Sequence, residues 1–206
     1  MSCEKDRKMS NITVDLIQKL RERTGLGIMD CKKALIEAGG DIEKAIELLR
    51  KKGTIIAEKR GGNQTNQGII YSYIHSGSKI GVLLELNCET DFVANTDVMK
   101  HLAHDIAMHI AAMKPRFLSE IDVDHVTLEK EKDIYAVQLR NEKKPEHMIA
   151  NIVEGKMKKF YSENCLLHQH FIKNDQLTIA DLIKESIAKV GENIKVSRFV
   201  RYEIGG

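Results

Sequence analysis

The segment Asn87-Cys88-Glu89-Thr90-Asp91-Phe92-Val93-Ala94 sets an acid and an aromatic side by side at the exit of an apolar run, Ile80 to Leu86. The apolar run reads as a strand, and the periodic segment that begins near Val98 reads as a helix. A polar turn between two stiff elements could hold the Phe92 ring outward, as a wedge for burial in another molecule. The same pattern also fits Phe92 as the first core residue of the helix that follows. Local pattern leaves both readings open.

Residues suited to covalent or metal chemistry are present but poorly arranged for it. His101, His104 and His109 share one helical segment. His104 and His109 are five apart, which puts them on different sides of a helix, so the i,i+4 pair that holds zinc is missing and no metal is expected. Gly25-Leu26-Gly27 lies between two helical patterns rather than after a strand, which argues against a dinucleotide fingerprint. No G-x-x-x-x-G-K-[ST] loop is present, so the chain does not bind a nucleoside triphosphate in that way. Cys3, Cys31, Cys88 and Cys165 are far apart and form no C-x-x-C pair, so they read as free thiols. Cys31 and Cys88 fit small buried positions.

The 206 residues are 42% hydrophobic and 30% charged, with a formal net charge of +2. These values fit a soluble globular protein of one or two domains. The balance does not predict a nucleic-acid binder, and the clusters at 50–52 and 156–159 read as solvated helix ends. No apolar run approaches the roughly 18 residues that a membrane-spanning helix needs. The first eight residues are charged, lack a signal core and read as a disordered extension, so a cytoplasmic location is expected.

Three short amphipathic helices are expected to position the amino-terminal chemistry. The first runs from Val14 to Arg23 with Thr13 as its cap and Gly25 at its end. The second runs from Asp30 to Ala38 and is stopped by Gly39-Gly40. The third starts after Asp41, with Ile42, Ala45, Ile46 and Leu49 inward. None is long enough to be stable alone, so residues 9–53 must pack together as a three-helix domain. The Gly- and Asn-rich composition of 54–67 reads as a linker. Residues 68–206 read as an α+β domain, a small antiparallel sheet backed by helices. It contains a hairpin of strands at 69–74 and 80–86, a helix at 98–112, and a charged helical hairpin over about 124–162 with Pro145 near its tip. A helix at 179–190, capped by Thr178, leads into a closing strand at 194–204.

The run from Leu20 to Leu35, which includes Arg21, Arg23, Gly27, Ile28 and Met29, joins Asn87 to Ala94 in resembling the elongation factor Ts family of bacteria. The likeness continues through Val153 to Phe160 and ends at Gly191-Glu192-Asn193-Ile194 and Arg198 to Glu203. These motifs occur in order and span nearly all of the chain from Met9. The resemblance implies a ubiquitin-associated-like fold for the three helices and a projecting coiled coil for the helical hairpin. It further implies a factor that binds elongation factor Tu and promotes release of GDP without covalent chemistry or a cofactor.

The resemblance also assigns contacts. Asp91 and Phe92 match the family's intruding pair, with Thr90 and Val93 beside them. Phe92 would enter a pocket of the partner GTPase near its magnesium and phosphate sites. Arg21, Arg23, Gly27, Ile28 and Met29 would dock on the same GTPase, although Ile28 and Met29 could equally staple the second helix to its own core. His75, in the Tyr-x-His-x-Gly hairpin, would touch the partner away from the nucleotide, or could be a solvated turn histidine. Only one strand hairpin is visible where long members of the family carry two related sheet subdomains. The chain therefore resembles the short form, for which a homodimer is expected, with the closing strand and first hairpin at the interface. The rival reading is a ubiquitin-associated-like adaptor without exchange activity.

Overall fold

Helix α1 (Val14–Thr24) begins where the Thr13 side chain accepts from the Leu16 N–H at 3.3 Å, and it ends at Gly25, whose φ of 68° closes the last turn. The computed structural model describes residues 12–205. Helix α2 (Ile28–Glu37) starts after Gly27 and stops at Gly39-Gly40, both in the left-handed region. Asp41 caps α3 (Ile42–Arg60) by accepting from the Lys44 N–H at 3.1 Å. Leu20, Cys31, Ala34, Leu35, Ala45 and Leu49 form the buried centre of this three-helix cluster. The first eight residues, read from the sequence as an extension, lie outside the described residues.

Residues 54–60, expected from composition to open the linker, form the last turns of α3. Packing explains the difference. Gly53 faces α8 (Ile179–Val190), where a Cβ at position 53 would stand 3.1 Å from Ala188 Cβ. Arg50 pairs with Glu185 at 3.4 Å, and Ala57 is buried. Tertiary contact thus overrides the weak helix propensity of Gly53 and Thr54-Ile55-Ile56.

Strands β1 (Gln67–Ile74) and β2 (Ile80–Cys88) form a hairpin closed by the His75 N–H donating to Ile80 O at 2.9 Å. Strand β5 (Ile194–Glu203) lies on the other side of β2, giving the order β1-β2-β5. The Ile204 N–H reaches Lys79 O at 2.9 Å while Arg198 meets Glu85 at 2.7 Å, so β5 runs antiparallel to β2. After β2 come the one-turn helix α4 (Asp91–Ala94) and α5 (Asp97–Met113). Tyr71 and Tyr73 of β1 both stack edge-on against His104 of α5, and Arg201 of β5 donates to Ala111 O at 3.2 Å. Helix α5 therefore lies across one face of the sheet.

The helical hairpin comprises α6 (His125–Asn141) and α7 (Glu146–Asn164). Met157 and Phe160 are buried at its base with Val123 and Cys165. Two short strands, β3 (His170–Phe171) and β4 (Asn174–Thr178), pair antiparallel ahead of α8. The sequence did not reveal them, because a two-residue strand carries no alternation to detect and Asn174-Asp175-Gln176-Leu177-Thr178 has a single apolar residue. The chain divides into two compact units. One comprises Met1–Gly68, Asn87–Lys100 and Ile183–Lys195, and the other Ile69–Leu86, His101–Leu182 and Val196–Gly206.

Candidate functional site

Phe92 is 83% exposed, although it sits in the middle of a helical turn whose other apolar members are buried. Thr90 caps that turn, its hydroxyl accepting from the Val93 N–H at 3.4 Å. The Asp91 carbonyl accepts from the Asn95 side chain at 2.9 Å and closes the other end. In so short a helix, consecutive side chains point about 100° apart, so Phe92 and Val93 cannot share a face. Val93 and Ala94 turn inward and are buried, whereas Asp91 and Phe92 face solvent. Phe92 is thus not the first core residue of a helix, and that alternative from the sequence is set aside. Val93, counted with Thr90 among the contact residues, is 8% exposed and anchors the turn from inside.

Two carboxylates hold the turn in place. The Thr90 N–H and hydroxyl both donate to Glu192, at 3.0 and 2.8 Å. Glu89 accepts from the Asn193 N–H at 2.6 Å and from the Asn63 side chain at 3.0 Å, with Arg60 at 3.4 Å. The Asn193 N–H, aided by Asn63 and Arg60, keeps the Glu89 carboxyl below the usual carboxylate range. Cys88 is fully buried beneath the turn and donates its thiol to Thr90 O at 3.0 Å. Burial, reinforced by the charge of Glu192, pushes that thiol up and keeps it protonated. The roles of Glu89, Glu192, Asn63 and Asn193 were not legible in the sequence, since more than a hundred residues separate Glu89 and Thr90 from Asn193 and Glu192, and Asn63 lies 26 residues from Glu89.

The amino-terminal candidates gather at one corner of the three-helix cluster. Ile28 and Met29 occupy the first turn of α2 and are 55% and 62% exposed, so they do not staple α2 to its core. Gly27 precedes them with φ −63° as the helix cap. Arg21 lines an open groove with Val14, Ile17 and Ile28. Arg23 instead pairs with Glu43 at 2.6 Å, which ties α1 to α3. His75 stands exposed in the β1–β2 turn, its Nδ1 3.1 Å from the Tyr73 hydroxyl.

Of the three histidines of α5, His101 is exposed, whereas His104 and His109 have structural partners. His104 meets the Tyr71 hydroxyl at 3.1 Å, and His109 is buried against Gln169 at 3.0 Å. Among the described residues, no group of three or more His, Cys, Asp or Glu side chains gathers as metal ligands would. Nor, among them, is any helix long and apolar enough to cross a membrane.

Comparison with known proteins points to one family. A family model described as Elongation factor TS matches residues 4–206. Elongation factor Ts of Thermotoga neapolitana is 57% identical over 194 residues, covering 94% of this chain and 98% of that protein. The protein of the same name from Fervidobacterium nodosum has the same identity and coverage. That from a Thermoanaerobacter species is 54% identical over 94% of this chain and 95% of its own length. A sequence that matches this family model over residues 4–206 and these relatives over 94% of its length leads to one assignment: the chain belongs to the elongation factor Ts family, whose members are translation elongation factors.

Proposed function

We propose that the chain binds elongation factor Tu and promotes the release of its GDP, so that GTP can replace it, with Phe92 as the principal wedge. The observation that carries this reading is the exposure of Phe92 on a turn that Thr90, Val93 and Ala94 anchor by hydrogen bonds and burial. An exchange factor needs no general acid or base. It must bind the nucleotide-free partner better than the nucleotide-bound one, and reciprocity then requires that nucleotide weaken its own binding. Burying a Phe side chain contributes about 1.5–3 kcal/mol, which at about 1.4 kcal/mol per tenfold is roughly ten- to a hundredfold in affinity. The ring alone is therefore insufficient, and further contacts must act elsewhere.

Asp91 is exposed next to the ring and is placed to meet donors of the partner. Ile28 and Met29, with Arg21 and Glu22 lining the groove beside Ile28, offer an apolar corner with charges of both signs at its edge, suited to the same GTPase. Met is an adaptable contact residue for such a surface. Arg23, engaged with Glu43, would shape that corner rather than reach out. His75 would make a separate contact from its hairpin turn. Elongation factor Tu loaded with fluorescent GDP tests the reading. Rapid loss of signal on adding micromolar protein is expected, and an unchanged slow loss would favour an adaptor role for the three-helix unit.

Two copies would act together in this reading. The sheet face turned away from α5 carries Ile70, Ile74, Leu83 and Tyr202, exposed by 69, 63, 46 and 72%. An apolar face of this extent on a small sheet favours a second copy as its cover. The chain should elute near twice its mass of 23.3 kDa, and Leu83→Asp should shift it to the monomer position.

A further inference from the structure

The one-turn helix that carries Phe92 is too short to set its own direction. Something outside it must, and while the Cys88 thiol reaches only the Thr90 carbonyl, the Glu192 carboxylate engages both the N–H and the capping hydroxyl of Thr90. Glu192 lies in the turn after α8, between Gly191, whose φ is 75°, and the buried Asn193. Its two oxygens receive the N–H and the hydroxyl of Thr90 separately. A hydroxyl has one hydrogen to give. Once that hydrogen is committed to Glu192, a lone pair of the same oxygen faces the Val93 N–H. Glu192 therefore fixes the rotor that caps the helix, as well as the backbone at its entry.

The arrangement is reciprocal. Thr90 binds Glu192, while the preceding residue, Glu89, binds the following one, Asn193. Asn193 in turn donates its side chain to Asn63 O at 3.0 Å and Gly61 O at 3.4 Å, at the end of α3. Two adjacent residues in each of two turns are thus clamped against each other. One half of the clamp, Glu89 with Asn193, fastens the strand exit to α3. The other half, Glu192 with Thr90, governs the segment that bears the ring. Hydrogen bonds to an ionised carboxylate are stronger than neutral ones, so this half is stiff as well as specific.

We propose that Glu192 is a positioning residue for nucleotide exchange, setting the aim of Phe92 through its paired hydrogen bonds to Thr90. This rests on the reading of Phe92 as the exchange wedge. Glu192 does not touch the partner. Without its carboxylate the ring stays exposed but samples several directions, and fewer encounters place it in its pocket.

The test compares Glu192→Gln, Thr90→Val and Thr90→Ser with the parent chain in fluorescent-GDP release from elongation factor Tu. Glu192→Gln should lower the saturating release rate about tenfold and leave the half-saturating concentration within about twofold, because the other docking contacts persist. Thr90→Val should lose a comparable amount, and Thr90→Ser should regain most of it. Combining Glu192→Gln with Thr90→Val should cost little more than either alone, since both break one interaction. A merely stabilising residue would lower the melting temperature without changing the saturating rate of the folded protein. A folded Glu192→Gln chain that exchanges like the parent overturns the proposal. If it fails to fold, Thr90→Val decides, and a parent-like rate there overturns the proposal equally.

A second readout separates this proposal from the exchange reading. With 4-fluorophenylalanine placed at position 92 of both the parent and the Glu192→Gln chain, the fluorine line reports how freely the ring moves. Narrowing of that line in Glu192→Gln supports the positioning role even if neither chain accelerates GDP release. An unchanged line refutes it, whatever the exchange assay shows.

Discussion

Phe92 and Val93 are consecutive residues of one helical turn and have opposite fates: the first is 83% exposed and the second 8%. Helical geometry sends neighbouring side chains in different directions. Thr90 and Glu192 fix which direction each takes. The pair therefore separates function from stability. Phe92→Ala should leave the urea midpoint and melting temperature nearly unchanged, since an exposed ring contributes little to folding. It should lower the GDP-release rate at least tenfold. Val93→Ala removes two buried methyl groups and should cost about 2 kcal/mol of stability. A Phe92→Ala chain that melts far below the parent would show that the ring does pack on its own subunit.

His109 predicts a pH dependence. It is wholly buried on α5, with Nε2 facing Gln169 Oε1 at 3.0 Å and Nδ1 accepting from the Ile172 N–H at 3.3 Å. That pattern fits only the neutral ring with its proton on Nε2. Burial pulls the pKa of His109 down, only partly opposed by Gln169. The unfolded chain binds this proton near pH 6.5, whereas the folded chain binds it at lower pH. Stability from His109 is therefore complete above about pH 7 and is lost as pH falls below about 6.5 towards the folded value. The slope should not exceed about 1.4 kcal/mol per pH unit from this group. Urea midpoints at pH 7.5 and 5.5 should differ for the parent and differ less for His109→Gln. Imidazole nitrogen spectra followed through a pH titration should show His109 protonating below the usual histidine range, and protonation at or above that range would contradict the assignment.

Much of this fold was legible because helices advertise their ends. Thr13, Asp41 and Thr178 occupy caps, and Gly25 and Gly39-Gly40 close turns, as their residue types suggest. The α+β class followed from the same signals. The end of α3 was not legible, because Gly53 reads as a breaker until Ala188 is seen against it. At the site, the exposure of Phe92 could not be decided locally, since the same pattern suits a core residue. What decides it is the inward turn of Val93 and Ala94 on a segment braced by Glu192, which is distant in sequence and has no recognisable spacing to Thr90.

Ile28 and Met29 extend the separation of function from stability to the three-helix unit. Both stand in the first turn of α2 and leave the cluster of Leu20, Ala34 and Leu35 intact beneath them. Ile28→Ser with Met29→Ser should change the unfolding free energy by less than about 1 kcal/mol, as exposed substitutions do. Binding to nucleotide-free elongation factor Tu, measured by calorimetry, should weaken at least tenfold. Unchanged binding would remove this corner from the docking surface.

Gly53 predicts how tightly α3 and α8 approach. An added Cβ would lie 3.1 Å from Ala188 Cβ, tighter than an ordinary contact by a few tenths of an ångström. Ala gains about 1 kcal/mol of helix propensity over Gly, which offsets the crowding. Gly53→Ala should therefore stay within about 1 kcal/mol of the parent by urea unfolding. Val adds two methyl groups at the same point, beyond what a small shift of Ala188 can relieve. Gly53→Val should lose roughly 1–3 kcal/mol. The neighbouring Arg50–Glu185 pair, at 3.4 Å and half exposed, is too weak to hold the helices together against that strain. Gly53→Val with Ala188→Gly should regain part of the loss, because the second change clears the space that the first one fills. Failure of that rescue, with each single variant destabilised, would mean that the two helices do not meet at this point.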